Sequence, residues 1–521
     1  MGHIRAARHI FSGGTLGDHS RRVSKVSASV SERGYLTNAD KGRDGAREMR
    51  LFAGCVSIFC ISIAILISRP EAIHAGTGGS PGGPPPYALN RADEDYRYLH
   101  DPSRRADFWD PIKYLPINET GSWFFSLGGE ARERYEYFNH PNWGKDPQDH
   151  GYFLQRYFLH GDLQMGGHVR LFSQLQSSME DGRRGGPRPT DLDELDVHQL
   201  FLDLRFGLRG EDSLTFRSGR QELAYGSQRI ISVREGPNVR QSFDGFRVIY
   251  QRGNVRIDGF ATKPAQTNRH VFDDGPDNTR ALWGTYAVLP FPLLPKGNID
   301  LYYIGLYRRT ASFDQGAARE TRHSVGGRLW RTAVPLDYNF EFLYQWGSFG
   351  NGDIRAWTVA SDTGYTFTSL PLRPRAGLRA DIASGDEDPA NPDLETFNPL
   401  FPKAAYFSEA GLIGPVNFID LHPCLDLHLA DHATLIFDWD FFWRESTRDG
   451  LYNNAVALVR SGKTSDARYI GSMPQVQLLW DIDRHLTFVA IYGHFFAGRF
   501  LKESGPGKDV DYVTSWLTYK F

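Results

Sequence analysis

Between residues 214 and 256 the chain carries eight arginines, no lysine and three acids, a local excess of five positive charges in a chain whose formal net charge is −3. A guanidinium presents a planar fork of donors that meets a carboxylate through two parallel hydrogen bonds, so this density suits a carboxylate-bearing solute. A solvated loop that holds lipopolysaccharide phosphates is the other reading of the same residues. Arginine dominates the whole chain, 48 of the 59 basic residues, so clustering rather than number is the informative feature.

Other chemistry is sparse. The sequence holds no G-x-S-x-G, no H-E-x-x-H and no glycine-rich phosphate cradle ahead of a helix. Cys55, Cys60 and Cys424 have neither metal nor redox spacing. The expectation is a non-enzyme with no catalytic residue, no metal-ligand set and no cofactor. A barrel hydrolase that assembles serine and histidine from separate strands is the rival, with His160, His428 or His494 as its base.

The elements that must position the arginines are strands. In "LDYNFEFLYQW", Leu336, Tyr338, Phe340, Phe342, Tyr344 and Trp346 alternate with Asp337, Asn339, Glu341 and Gln345. A helix, at about 100° per residue, would scatter those six apolar groups around its axis, whereas a strand puts them on one face. "WFFSLGGEARERYEYF" sets Phe125, Leu127, Ala131, Tyr135 and Tyr137 against Glu130, Arg132, Arg134 and Glu136, with Glu133 interrupting the apolar side. "HQLFLDLRFGL" sets Leu200, Leu202, Leu204, Phe206 and Leu208 against Gln199, Asp203 and Arg205. With 54 glycines, 29 prolines, 13% aromatics and a mean hydropathy of −0.44, the composition suits strands and turns.

Alternation fits a soluble sandwich as well as a membrane barrel, and the connections separate them. Short turns near 165, 209, 252 and 334 alternate with long polar stretches near 180–195, 222–243, 264–280 and 309–322. That rhythm belongs to an outer-membrane barrel. Strands of roughly ten residues from Trp123 onward number about 18, giving an all-β, transmembrane antiparallel barrel with short periplasmic turns and long extracellular or lumen-folded loops. Its last strand, "DYVTSWLTYKF", sets Val513, Leu517, Tyr519 and Phe521 against Thr514, Thr518 and Lys520, and closes on the first.

Four segments follow. Residues 1–48 carry no periodic pattern and precede Met49, so they read as a start-site artefact or a disordered leader. Residues 49–75 read as a signal peptide, with the apolar run Leu51 to Ser68 after Arg50 and a cleavage position at Ala75. Residues 76–121 are a Gly/Pro linker, "GTGGSPGGPPP", and a periplasmic lead segment, and 122–521 are the barrel. In a barrel this wide the inward side chains describe function. Arg132, Arg134, Arg156, Arg205, Arg375 and Arg379 lie opposite apolar stripes and should point inward, with Glu130, Asp203 and Asp381 as their partners on the same faces.

The stretches "FRSGRQELAYGSQRIISVREGPNVRQSFDGFR", "ASGDEDPANPDLETFNPLFP", "HFFAGRFLKESGPGKDVDYVTSWLTYKF", "LGGEARERYEYF" and "EDYRYLHDP" together resemble the alginate-export family of outer-membrane proteins. The resemblance implies an 18-stranded barrel in a Gram-negative outer membrane, through which alginate or a similar uronate polymer leaves the periplasm along an arginine-lined pore covered by mobile loops. Within the matched motif it points to Arg217, Arg220, Arg229, Arg234, Arg240 and Arg247 as pore or loop contacts. Asp386, Glu387 and Asp388 read as a solvated acidic loop, with gating or cation binding as the alternative. The expected partners are an anionic polysaccharide, outer-membrane lipid and lipopolysaccharide, the barrel-assembly machinery that reads a terminal aromatic strand, and periplasmic export components, with no nucleic acid. Uptake of acidic oligosaccharides is the alternative function, since a pore has no intrinsic direction.

Overall fold

The computed structural model describes residues 85–146 and 149–521, so the expected leader and signal peptide lie outside the described residues. Eighteen strands form one wall. The first six are β1 (Trp123–Asn139), β2 (His150–Met165), β3 (Val169–Asp181), β4 (Asp193–Gly207), β5 (Ser213–Gln221) and β6 (Phe243–Arg252). The next six are β7 (Val255–Gln266), β8 (Arg280–Pro290), β9 (Asn298–Phe313), β10 (Gly316–Arg331), β11 (Leu336–Phe349) and β12 (Gly352–Thr366). The last six are β13 (Arg375–Ala383), β14 (Phe418–Ala430), β15 (Ala433–Trp443), β16 (Tyr469–Asp481), β17 (Leu486–Ala497) and β18 (Val510–Lys520). Each pairs antiparallel with the next, and β18 returns to β1 from Lys520 opposite Glu130 to Asp511 opposite Asn139, which leaves the sheet without an edge.

The wall is inside-out relative to a soluble protein. On β4, Leu200 and Leu202 are 46% and 40% exposed while Asp203 is 1% exposed. On β1, Arg132 and Arg134 are buried, and on β11 Phe340 and Phe342 are exposed. An outward apolar face with charged groups buried on the other side is the pattern of a barrel in lipid. The connections alternate as expected as far as residue 280, but not at 309–322. There β9 and β10 run on to a two-residue turn at Asp314 and Gln315. The charges that look like a loop in the sequence are lumen-facing: Arg308 binds the Glu320 carboxylate, which also accepts from Arg322 at 2.6 Å.

The lumen is filled from both ends. From the loop side, residues 222–242 and 384–417 fold inward, and Ile231, Phe401 and Phe407 join wall residues Phe243, Phe418 and Phe442 in one apolar cluster. From the turn side comes the lead segment, which contains three short 3-10 turns and one short α-helix, α1 (Asp110–Lys113). Ala92 packs on Phe172 of β3 and Phe201 of β4, and Tyr114 stacks on Phe124 at 4.6 Å. The Arg91 guanidinium donates to the carbonyls of Gly129 (2.9 Å) and Phe521 (2.8 Å). Residues 85–121 therefore act as a plug in the turn-side mouth, more than a linker. Gly129 makes room for the terminal ring, since a Cβ there would lie 2.6 Å from Phe521.

Candidate functional site

The densest chemistry sits where residues 222–242 cross the lumen and meet β1 and β2. Arg132 donates to the carbonyls of Glu235 (3.0 Å), Gly236 (3.3 Å) and Pro237 (2.9 Å). Arg134 and Arg156 donate to Gly236 and Glu235 carbonyls, each at 3.0 Å. The Glu235 carboxylate lies among Arg156, which it binds directly, Arg240 at 2.9 Å and Arg132 at 3.7 Å. Burial pushes this carboxyl up, but Arg156, Arg240 and Arg132 outweigh it and hold it well below the usual range. The same arginines keep further partners: Arg156 with Glu130 of the wall at 2.6 Å, Arg134 with Glu136 of the wall at 2.7 Å and Arg240 with Glu222 of its own segment at 2.8 Å. Segment 384–417 adds Glu409, 3.0 Å from Arg134.

Elsewhere the expected residues form discrete pairs. Arg217 clasps Asp203 through two bonds of 2.7 and 2.9 Å, with Arg205 at 3.6 Å from the same carboxylate. Arg247 binds Asp258. Arg229 spans from loop to wall, 3.3 Å from Glu341 and 3.7 Å from Asp381, and Asp381 accepts from the Tyr406 hydroxyl at 2.9 Å. Arg375 meets Asp337 at 2.6 Å and Arg379 meets Asp362 at 3.2 Å. The lumen is thus a lattice of arginine–carboxylate pairs. Among the described residues, Arg234 and Lys403 have no carboxylate at ion-pair distance. Arg234 lies over the Phe401 ring at 5.7 Å and Lys403 over Tyr406 at 5.8 Å. Burial lowers their pKa values, to about 10 and about 8.

Arg220 departs from expectation. It pairs across the ladder with Leu200, on the lipid face that Phe216 and Ser218 share, and it binds Asp244 (2.9 Å) and Asp196 (3.6 Å) near the loop-side rim. It belongs to the motif but not to the lumen, because adjacent positions of a strand face opposite ways. The acidic run at 386–388 divides similarly: Glu387 and Asp388 are exposed, whereas Asp386 is buried, its pKa pushed up to about 7 by burial, with Asp449 adding to the rise.

Sequence reasoning missed the loop acids Glu222, Glu235 and Glu409. It also missed the Arg170–Asp162 pair at 2.7 Å, which strand parity could have found. As for the hydrolase rival, His160 is stacked on Phe172, His428 lies 3.2 Å from the Thr434 hydroxyl and His494 binds Asp511 at 2.7 Å. None of the three is hydrogen-bonded to a serine among the described residues.

Comparison with known proteins agrees with the barrel fold. The family profile described as alginate export matches residues 124–514. Among solved structures, a BenF-like porin from Pseudomonas fluorescens Pf-5 is similar with a TM-score of 0.52 at 11% identity, covering 78% of this chain and 99% of the porin. OccAB4 of Acinetobacter baumannii gives 0.51 at 11% identity, covering 76% and 98%, and OpdO of Pseudomonas aeruginosa gives 0.50 at 12%, covering 76% and 97%. At such identities the likeness is one of fold. No curated protein matches the chain in sequence.

Proposed function

The chain belongs to the alginate-export family and is an outer-membrane β-barrel channel, and from that premise we propose that it passes an anionic polysaccharide, a uronate polymer such as alginate, out of the periplasm. The observation that carries the substrate reading is Glu235. Its carboxylate, on a side chain 40% exposed and set among Arg132, Arg156 and Arg240, occupies the place that a uronate carboxylate takes when the 222–242 segment withdraws.

Withdrawal frees the donors of Arg132, Arg134 and Arg156 that now serve loop carbonyls, while Glu130 and Glu136 remain on the wall to keep the guanidiniums oriented. Half-neutralised arginines bind a carboxylate and also release it, as conduction through successive sites requires. Arg170 near the turn end, Arg217 in mid-strand and Arg156 nearer the loops give the polymer a series of such sites along one wall. The same reading has residues 1–75 removed before insertion, which N-terminal sequencing of protein extracted from outer membranes reads directly.

The test is block of ion current by polyuronate in planar bilayers at low salt. R156E should weaken that block at least tenfold while leaving entry of a neutral glucan near its wild-type level. Equal block of wild type and R156E would end the assignment of this wall to a polyanion.

A further inference from the structure

Elsewhere on the lumen wall three side chains converge with no arginine or lysine at ion-pair distance among the described residues. Asp420 and His422, two apart on β14, face inward, as does Asp440 on the neighbouring β15. They are 3%, 1% and 0% exposed. One ligand atom from each lies within 4.8 Å of the others. His422 Nδ1 touches the Asp440 carboxylate, and its Nε2 is 3.3 Å from Asp438. Among the described residues, Asp420 Oδ1 has no hydrogen-bond partner. The nearest arginine by register, Arg379 opposite His422, turns instead to Asp362.

Three buried carboxylates around one imidazole are costly unless a cation or protons neutralise them. We propose that Asp420, His422 and Asp440 form a binding site for a first-row divalent cation of the Zn2+ class, set into the barrel wall. The imidazole nitrogen selects such an ion over Ca2+ or Mg2+, which take oxygen ligands. Ligands about 2 Å from a shared ion lie at most about 4 Å apart, so the three groups reach one ion through small side-chain shifts. Gln475 on β16 is the positioning residue: its amide donates to Asp438 (2.9 Å) and Asp440 (3.2 Å), the outer-shell support that metal carboxylates need. The site is also covered. Phe407 from segment 384–417 packs on Phe418 and Phe442, at 5.1 and 5.0 Å, which flank the ligands on the same inward faces. A bound dication would bring this patch close to neutral and remove a repulsion beside the path of a polyanion.

Full-length protein extracted from outer membranes, stripped with a chelator and titrated with Co2+, tests the site without reference to transport. One Co2+ per chain should give visible absorption bands that Zn2+ displaces, and binding should weaken at least tenfold in D420N and H422Q that keep heat-modifiable mobility. If neither variant inserts, pulsed EPR of the Cu2+-loaded wild type should show coupling to one imidazole nitrogen. The absence of saturable Co2+ and Zn2+ binding overturns the proposal and leaves protons as the neutralising charge. So does binding untouched by either substitution, or a Cu2+ spectrum without imidazole coupling. None of these outcomes bears on the polyanion wall.

Discussion

The wall built by β1 and β2 and the wall built by β14 and β15 face the same lumen, one with arginines paired to carboxylates and the other with carboxylates that have no arginine at ion-pair distance among the described residues. Arg132, Arg134 and Arg156 project from the first, Asp420, Asp438 and Asp440 from the second. The basic wall is met by loop carbonyls and by Glu235, acceptors that a passing carboxylate can replace. The acidic wall is capped by Phe407. The covering segments thus differ as their walls differ: one meets its wall through carbonyls and a carboxylate, the other through an aromatic ring. The proposed polyanion path runs along the first of these walls.

The largest effect should come from breaking the basic wall at its most buried pair. R156M strands Glu130, 3% exposed, and should cost about 3–5 kcal/mol, read as a lowered midpoint for loss of heat-modifiable mobility. D438N on the acidic wall removes one of several like charges and should leave that midpoint within about 1 kcal/mol; an equal loss from both would erase the distinction.

Next in size is release of the stand-in. E235Q removes the charge that holds the loop to Arg156, Arg240 and Arg132, a change of about 1–3 kcal/mol in closure, so the open fraction in single-channel records should rise about tenfold. The Glu235 pKa is depressed in the closed state, so its contribution is complete above the ordinary glutamate range and is lost only as pH falls through the lower, folded value. Acidification to about pH 4.5 should therefore leave wild-type channels closed, and opening there would contradict the assignment.

Charge reversal should sharpen the contrast between lumen and rim. R132E should shift ion preference from anions towards cations, and the shift should fade between 0.1 and 1 M salt as the screening length falls from about 10 Å to about 3 Å. R220E, at the outer rim, should change preference little; if it matches R132E, strand parity has been misread.

The smallest effect concerns the plug. Lys113 lies over the rings of Tyr96 (5.1 Å) and Phe521 (5.6 Å), and burial, with Arg91 adding to it, lowers its pKa from 10.5 to about 7. Between those values the docked segment holds fewer protons than the undocked one, so docking strengthens as pH rises from 7 to 10.5 and carries its full penalty below 7. Protection of residues 85–121 from protease should increase across that window and become flat in K113M.

How much of this was legible depended on distance along the chain. Leu200, Leu202 and Leu204 against Asp203 and Arg205 gave the faces of β4 directly, and the inward places of Arg132, Arg134, Arg156, Arg375 and Arg379 follow from the same count. Arg220 was misplaced because motif membership carries no parity. Residues 309–322 were misread because a buried ion chain and a solvated loop have the same composition. The three carboxylates and histidine of the acidic wall were passed over because Asp438 and Asp440 meet Asp420 and His422 only through the pairing of β14 with β15.

The sequence by itself determined that the chain is a barrel of about 18 strands and which side chains of a strand face inward, because both depend on a period of two that is set within the strand. Only the tertiary structure decided which carboxylate each arginine binds, that residues 222–242, 384–417 and 85–121 fill the lumen, and that Asp440 comes to Asp420 and His422. Those contacts depend on register between strands and on where loops fold, and an ion pair a few ångströms long joins residues whose separation along the chain carries no periodic signal.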